Sequence, residues 1–229
     1  MSLPPSISHR LRLPLIAAPM FLVSGPDLVI AASRAGVIGS FPTANCRTLK
    51  ELDDWLTRIT QETLETAPYA PNLIVHRSNQ RLQDDLDLVA RHHAPLVIAS
   101  VGNPAPILDK IHEYGGLVFA DIASMRHAKK AIAAGADGLI LLSAGAGGQT
   151  GWANPFAFVR AVREIYDRPI VLAGGVNDGI ALRAAKTLGC DMAYMGTRFI
   201  ATRESMAVDE YKDMLVSSGL DDVMLTSAF

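Results

Sequence analysis

Eight short apolar or β-rich segments recur along this 229-residue chain, each running into small or polar residues and each followed by a stretch of helical period. That alternation limits the fold more than any other feature, because repeated strand–helix units bury both elements by laying helices against a parallel sheet. Strands are expected at 15–18, 37–40, 72–75, 96–101, 117–121, 139–142, 170–173 and 192–195. Helices are expected at 27–35, 48–66, 80–92, 104–114, 124–134, 155–166, 178–188 and 205–217. The run Leu139-Ile140-Leu141-Leu142 has no polar face, as suits a parallel strand covered on both sides.

Local punctuation agrees with that reading. Ser124 is a good N-cap, Gly135 and Gly189 stand where helices end, and Pro104 and Pro155 suit a first helical turn. Residues 134–138 and 188–192 repeat one device: a helix end, a glycine, then an aspartate ahead of a strand. Eight such units read as one (β/α)8 TIM barrel over residues 1–229, a little short of the roughly 250 residues typical of that fold. The competing doubly wound sheet would want a glycine fingerprint after its first strand, which here ends Ala17-Ala18-Pro19-Met20.

With 49% hydrophobic residues the chain can bury a large core. Its 21 basic and 23 acidic residues leave a net charge of −2 with no long run of one sign, which speaks against a nucleic-acid partner. No apolar run approaches the roughly 20 residues of a membrane span, and the N-terminus lacks a signal-peptide pattern, so a soluble cytoplasmic protein is expected. Cys46 and Cys190 are far apart and outside any ligand spacing, so neither a disulfide nor a metal site is expected and both read as packing residues.

Barrels carry their chemistry at the C-terminal ends of the strands. This rule gathers Pro19, Met20, Asn72, His76, Ser100, Asp121, the 143–149 loop, Gly174, Gly175, Gly196 and Thr197 at one mouth. The loops after the seventh and eighth strands often hold a phosphate, and here they read Ala173-Gly174-Gly175 and Met195-Gly196-Thr197. Arg198 either reaches such a phosphate or pairs with a surface carboxylate. The glycines of 145–151 let backbone approach a ligand closely. Asn72 offers both a donor and an acceptor. Asp121 either accepts from a ligand O–H or N–H or caps the following helix. His76 follows the third strand near the mouth and either serves the site or simply hydrogen-bonds a loop. His9, His92, His93, His112 and His127 fall on the tail or on helices and are expected to be solvated. Trp152 forms part of a substrate wall or packs against the helix starting at Pro155, with packing favoured.

These residues, Ala18-Pro19-Met20, Asn72, 144–151, Ala173-Gly174-Gly175 and 195–199, resemble the nitronate monooxygenases, FMN-dependent barrel enzymes with flavin enoyl reductases among their relatives. The resemblance runs from about Leu15 to the end. It implies FMN phosphate held by Gly174, Gly175, Gly196 and Thr197 beside Met195, and the isoalloxazine near Pro19, Met20, Asn72 and the Gly147-Gly148 turn, with Asp121 free to accept from a ribityl hydroxyl or a ring N–H. Two departures stand out. Gln149 occupies the place of the family's catalytic histidine, and an amide is no general base near neutral pH. The chain also stops at 225–229, where family members usually continue, so it is either a minimal member or one that ends early.

The resemblance implies an oxidoreductase that turns alkyl nitronates and O₂ into a carbonyl compound and nitrite, with Gln149 orienting the nitro group and His76 as an auxiliary contact. Poor proton abstraction from neutral nitroalkanes is expected. Two alternatives stand beside it: an NAD(P)H-dependent flavin reductase acting on a quinone or enoyl thioester, and a phosphate-binding barrel without flavin. The partner is a small molecule in each case, and a homodimer is left open.

Overall fold

A computed structural model describes residues 3–227. It contains eight parallel strands, β1 (Leu15–Ala17), β2 (Ile38–Pro42), β3 (Tyr69–Ile74), β4 (Leu96–Ser100), β5 (Leu117–Ile122), β6 (Gly138–Leu142), β7 (Ile170–Ala173) and β8 (Met192–Met195). They close in sequence order into a barrel. Ala17 aligned with Met195 joins the first strand to the last. The helices are α1 (Pro5–Ser8), α2 (Pro26–Arg34), α3 (Leu49–Glu62), α4 (Leu82–Arg91), α5 (Ala105–His112), α6 (Met125–Ala134), α7 (Pro155–Arg163), α8 (Gly179–Leu188), α9 (Thr197–Ile200) and α10 (Asp209–Ser217). The fold is the expected (β/α)8 TIM barrel.

Three clusters of buried side chains follow from strand alternation. Inside the barrel lie Ile16, Ile38, Ala70, Ile98, Phe119, Ile140, Val171 and Met192, with Leu3 and Ile7 of the N-terminal segment packed against them. The other two clusters fill the space between sheet and helices, one around Leu52, Leu73 and Val97 and one around Leu139, Val159 and Leu172. Gly138 opens β6 because Phe119 already fills the adjoining space: a Cβ there would lie 2.5 Å from its ring. The two aspartates of the repeated device have one job. Asp137 accepts from the backbone N–H of Val118 at 2.9 Å, and Asp191 accepts from that of Ile170 at 2.9 Å, so each locks the strand it precedes to the start of the previous one.

The expected boundaries move where side chains capture backbone groups. The third helix stops at Glu62 rather than 66, since Arg10 takes the carbonyls of Thr63 and Leu64 at 2.8 and 2.7 Å. The helix from Pro155 stops at Arg163, whose guanidinium turns back onto the carbonyls of Tyr166 and Arg168. Ser205 does not start the last helix; it donates to the Ile200 carbonyl at 2.6 Å, and the helix begins at Asp209. The third strand begins three residues early, running through Pro71, which aligns with Phe41. The short helices α1 and α9 carry no periodicity a sequence reading can use. Ala228 and Phe229, part of the C-terminal departure, lie outside the described residues.

Of the histidines expected to be solvated, His9, His93, His112 and His127 are exposed and His92 is half-buried. His92 meets Asp53 at 2.6 Å, His112 meets Asp137 at 2.7 Å, and His93 lies against Tyr114 with ring centroids 5.1 Å apart. Cys46 and Cys190 are buried and free, and burial pushes each thiol up to about 12, as befits packing residues. Among the described residues no group of His, Cys, Asp or Glu could hold a metal ion, and no helix is long and apolar enough to cross a membrane.

Candidate active site

The residues gathered at the mouth by the barrel rule sit on four adjoining loops and on the top of the strand interior, except His76, which lies on the loop after β3. After β1, residues 19–24 turn back on themselves, with Leu22 in the left-handed region at φ 58°. Ser24 holds this turn, accepting from the Met20 N–H at 3.0 Å and donating to the Ala18 carbonyl at 3.3 Å. Asn45, from the segment after β2, clamps it again by donating to the carbonyls of Met20 and Ser24 and accepting from the Leu22 N–H. Sequence reasoning missed Asn45, because its partners are 21 to 25 residues away and its own neighbours carry no motif.

The glycine-rich loop after β6 is closed at its base. Ala144 N–H donates to the Ala153 carbonyl, Gly151 N–H to that of Leu142, and the Thr150 hydroxyl to that of Ser143. Its tip, Gly147, Gly148 and Gln149, is exposed, and the Gln149 amide makes no hydrogen bond among the described residues. A Cβ added at Gly147, Gly148 or Gly175 would meet nothing within 4 Å, so backbone there faces open space. Gly174 is different. Its φ is +115°, and a Cβ would stand 2.6 Å from the Ser143 hydroxyl and 2.9 Å from the Ala146 nitrogen, so it is the point where the loops after β6 and β7 touch.

Arg198 pairs with no carboxylate among the described residues; its Nε donates to the Asn177 carbonyl at 2.9 Å and ties the loop after β8 to the one after β7. Met20 lies over Gly196, where a Cβ would come 3.4 Å from its sulfur. Thus the loops after β6, β7, β8 and β1 form a continuous rim. Along it the backbone N–H groups of Gly175, Gly196 and Thr197 donate to no protein acceptor among the described residues. Free N–H groups left uncapped beside open space suit an oxyanion such as a phosphate. Met195 is nearly buried beneath this rim.

Asn72 and Ser100 are buried at the top of the barrel interior. The Asn72 amide donates to the Ile98 carbonyl at 3.1 Å and accepts from the Ser100 hydroxyl at 3.4 Å, so its edge is already part of the wall. Asp121 caps no helix; Ser124 does that, accepting from the His127 N–H. One Asp121 oxygen, Oδ1, is shielded from solvent without a hydrogen-bond partner. Burial raises its carboxyl to about 7. His76 stands exposed just past β3, its Nδ1 2.7 Å from the Ser78 hydroxyl. Trp152 does not pack against α7 but is 89% exposed, and Phe21, Leu22, Val101, Phe156 and Ile180 are exposed on the loops and helix starts at this end.

The closed parallel barrel, with glycine turns at its C-terminal strand ends, is a (β/α)8 TIM barrel with an open mouth. Residues 62–229 match the family profile described as nitronate monooxygenase, and the chain belongs to that family of oxidoreductases. It is 30% identical over 213 residues to a (3aS,4S,5R,7aS)-5-hydroxy-7a-methyl-1-oxo-octahydro-1H-indene-4-carboxyl-CoA dehydrogenase of Rhodococcus jostii, covering 93% of this chain and 59% of that protein. A nitronate monooxygenase of Paraburkholderia phytofirmans is 25% identical over 263 residues, covering 94% of this chain and 70% of the relative. The structure of FabK from Thermotoga maritima superposes with a TM-score of 0.88 at 28% identity, over 98% of this chain and 70% of that one. The chain therefore spans about three fifths of the Rhodococcus relative's length.

Proposed function

We propose that residues 1–229 form one barrel domain that binds FMN and oxidises small alkyl nitronates with O₂ to a carbonyl compound and nitrite. The observation that carries this reading is the row of free N–H groups at Gly175, Gly196 and Thr197, set next to uncovered backbone at Gly147 and Gly148. The first group suits a phosphate and the second leaves space for a flat ring. Gly174 and Met195 shape this end from below, while Pro19 and Met20 flank it on the β1 side. When bound, FMN supplies the electron transfer, and the chain supplies position and electrostatics.

In this scheme the free amide of Gln149 donates a hydrogen bond to a nitro oxygen, and the imidazole of His76 makes a second polar contact. A nitronate is already an anion, so it needs orientation rather than a strong base. The exposed apolar side chains Phe21, Trp152 and Ile180 offer an alkyl substrate a wall.

A second reading has its own support. Two relatives near 30% identity are named as CoA dehydrogenases of a fused-ring carboxylic acid, which favours a thioester-linked carbonyl substrate on the same flavin. One experiment separates the two. The FMN-loaded chain is mixed anaerobically with propyl-2-nitronate, with NADH, with NADPH and with an acyl-CoA, and the flavin absorbance is followed. Bleaching by the nitronate supports the first reading; bleaching only by a nicotinamide or acyl-CoA overturns it in favour of the second. A chain that stays colourless with FMN defeats both.

A further inference from the structure

Asp121 is an ionisable side chain for which the scheme above has no chemical use. It occupies the last inward position of β5, directly above Phe119 on the same face and aligned with Ile140 of β6. Around it β4 presents Ile98 and Ser100, β6 presents Ile140 and Leu142, and β8 presents Tyr194, so no cation from any of these strands neutralises it. Ser100 spends its hydroxyl on Asn72 and on the Leu73 carbonyl. Oδ1 of Asp121 is left shielded and unpartnered. Tyr194 is the titratable group coupled to it among the described residues: burial first, and then the charge of Asp121, push its phenol well above the usual range. Leaving a buried carboxylate oxygen unpaired is costly, and proteins keep such groups where a ligand completes them.

We propose that Asp121 works as a neutral carboxylic acid that donates its O–H to an acceptor oxygen of the substrate, selecting oxygen anions that a charged carboxylate would repel. The proposal rests on the mouth being the active site. It fits both candidate substrate classes, since a nitronate and the enolate form of a thioester each present an anionic oxygen. Their charge further favours the protonated acid, by the same repulsion that keeps one carboxyl of a close pair neutral. Substrate binding then takes up a proton whenever Asp121 was ionised beforehand, and Gln149, which has no proton to exchange, contributes only direction. Burial already holds the carboxyl near neutrality, so the acid form is well populated at pH 7.

Two measurements test this. The first follows the carbon-13 signal of the Asp121 carboxyl in the flavin-free chain, assigned by its loss in Asp121→Asn; a midpoint near 7 is expected, and one in the ordinary carboxylate range overturns the proposal. The second follows kcat/KM for freshly dissolved propyl-2-nitronate, or for the acyl-CoA should that be the substrate, against pH in the FMN-loaded protein. For the wild type it falls about tenfold per pH unit above the midpoint. Asp121→Asn keeps a donor that cannot ionise and gives a flat profile, while Asp121→Leu lowers kcat/KM about ten- to a hundred-fold at acidic pH. A Leu variant as fast as wild type, or an Asn variant retaining the pH dependence, overturns the proposal. Failure to bind FMN defeats the flavin reading instead, and FMN affinity measured on each variant keeps the two failures apart.

Discussion

The Asn45 side chain reaches back to Met20, its Nδ2 donating to the Met20 carbonyl at 3.1 Å, and the same amide group donates to the Ser24 carbonyl at 2.8 Å while Oδ1 accepts from the Leu22 N–H at 2.9 Å. One buried amide thereby fixes three points of the turn that carries Pro19 and Met20. Asn45→Ala is expected to cost about 1–3 kcal/mol of stability, because three backbone groups lose their partner. It is also expected to weaken FMN binding, since Met20 no longer stays over Gly196. Denaturant midpoints and an FMN fluorescence titration read the two effects separately, and unchanged FMN affinity would exclude Asn45 as a support of the site.

Gly174 and Gly175 are neighbours with opposite consequences. Gly174→Ala adds a Cβ 2.6 Å from Ser143 Oγ and 2.9 Å from Ala146 N at a φ of +115°. Backbone on the far side cannot swing away, so a loss on the order of 3 kcal/mol is expected. Gly175→Ala meets nothing within 4 Å at a φ of +69° and costs about 1 kcal/mol from backbone strain. Its methyl group instead projects beside the free N–H groups, so FMN affinity falls while the fold survives. Thermal melts with and without FMN distinguish the pair; equal destabilisation by both would refute this account of the turn.

Gln149→His restores a base at the tip of the loop after β6. Neutral 2-nitropropane consumption is expected to rise about tenfold or more near pH 8, with smaller change on the preformed nitronate. The measurement is nitrite release from each substrate. If no flavin reaction changes, the side chain at 149 does not face the ring.

The Asp121 carboxyl makes stability depend on pH in a direction opposite to that of most acids. The folded chain keeps this proton up to about pH 7, whereas the unfolded chain loses it near the ordinary value of 3.8. Between these limits the unfolded state binds fewer protons, so this group's contribution declines as pH rises and is level above the upper limit. Asp121→Asn is expected to match wild type near pH 4 and exceed it at pH 8. Urea midpoints at the two pH values check this, and an identical difference at both would remove Asp121 as the cause.

The barrel was legible because its signals are local and repeated. Asp137 and Asp191 each follow a glycine and precede a strand, and each closes the same bond onto the preceding strand. Gly174, Gly175, Gly196 and Thr197 were legible as mouth residues from strand order alone. What escaped depended on groups distant in sequence. Arg10 ends α3 from more than fifty residues away, and the Nε of Arg198 binds the Asn177 carbonyl across two loops rather than a surface carboxylate. Neither the exposure of Trp152 nor the unpaired Asp121 oxygen can be read before neighbouring loops are placed.

The seam between β1 and β8 has a bearing on synthesis. Ala17 leaves the ribosome long before Met195, its partner in the closing pair. Until that last strand emerges, the nascent sheet has two bare edges and an apolar interior open along its length, the geometry most prone to pair with other chains. Chains interrupted before residue 192 therefore lack the closing strand altogether, and a cell making this protein has reason to shield it until translation has passed that point.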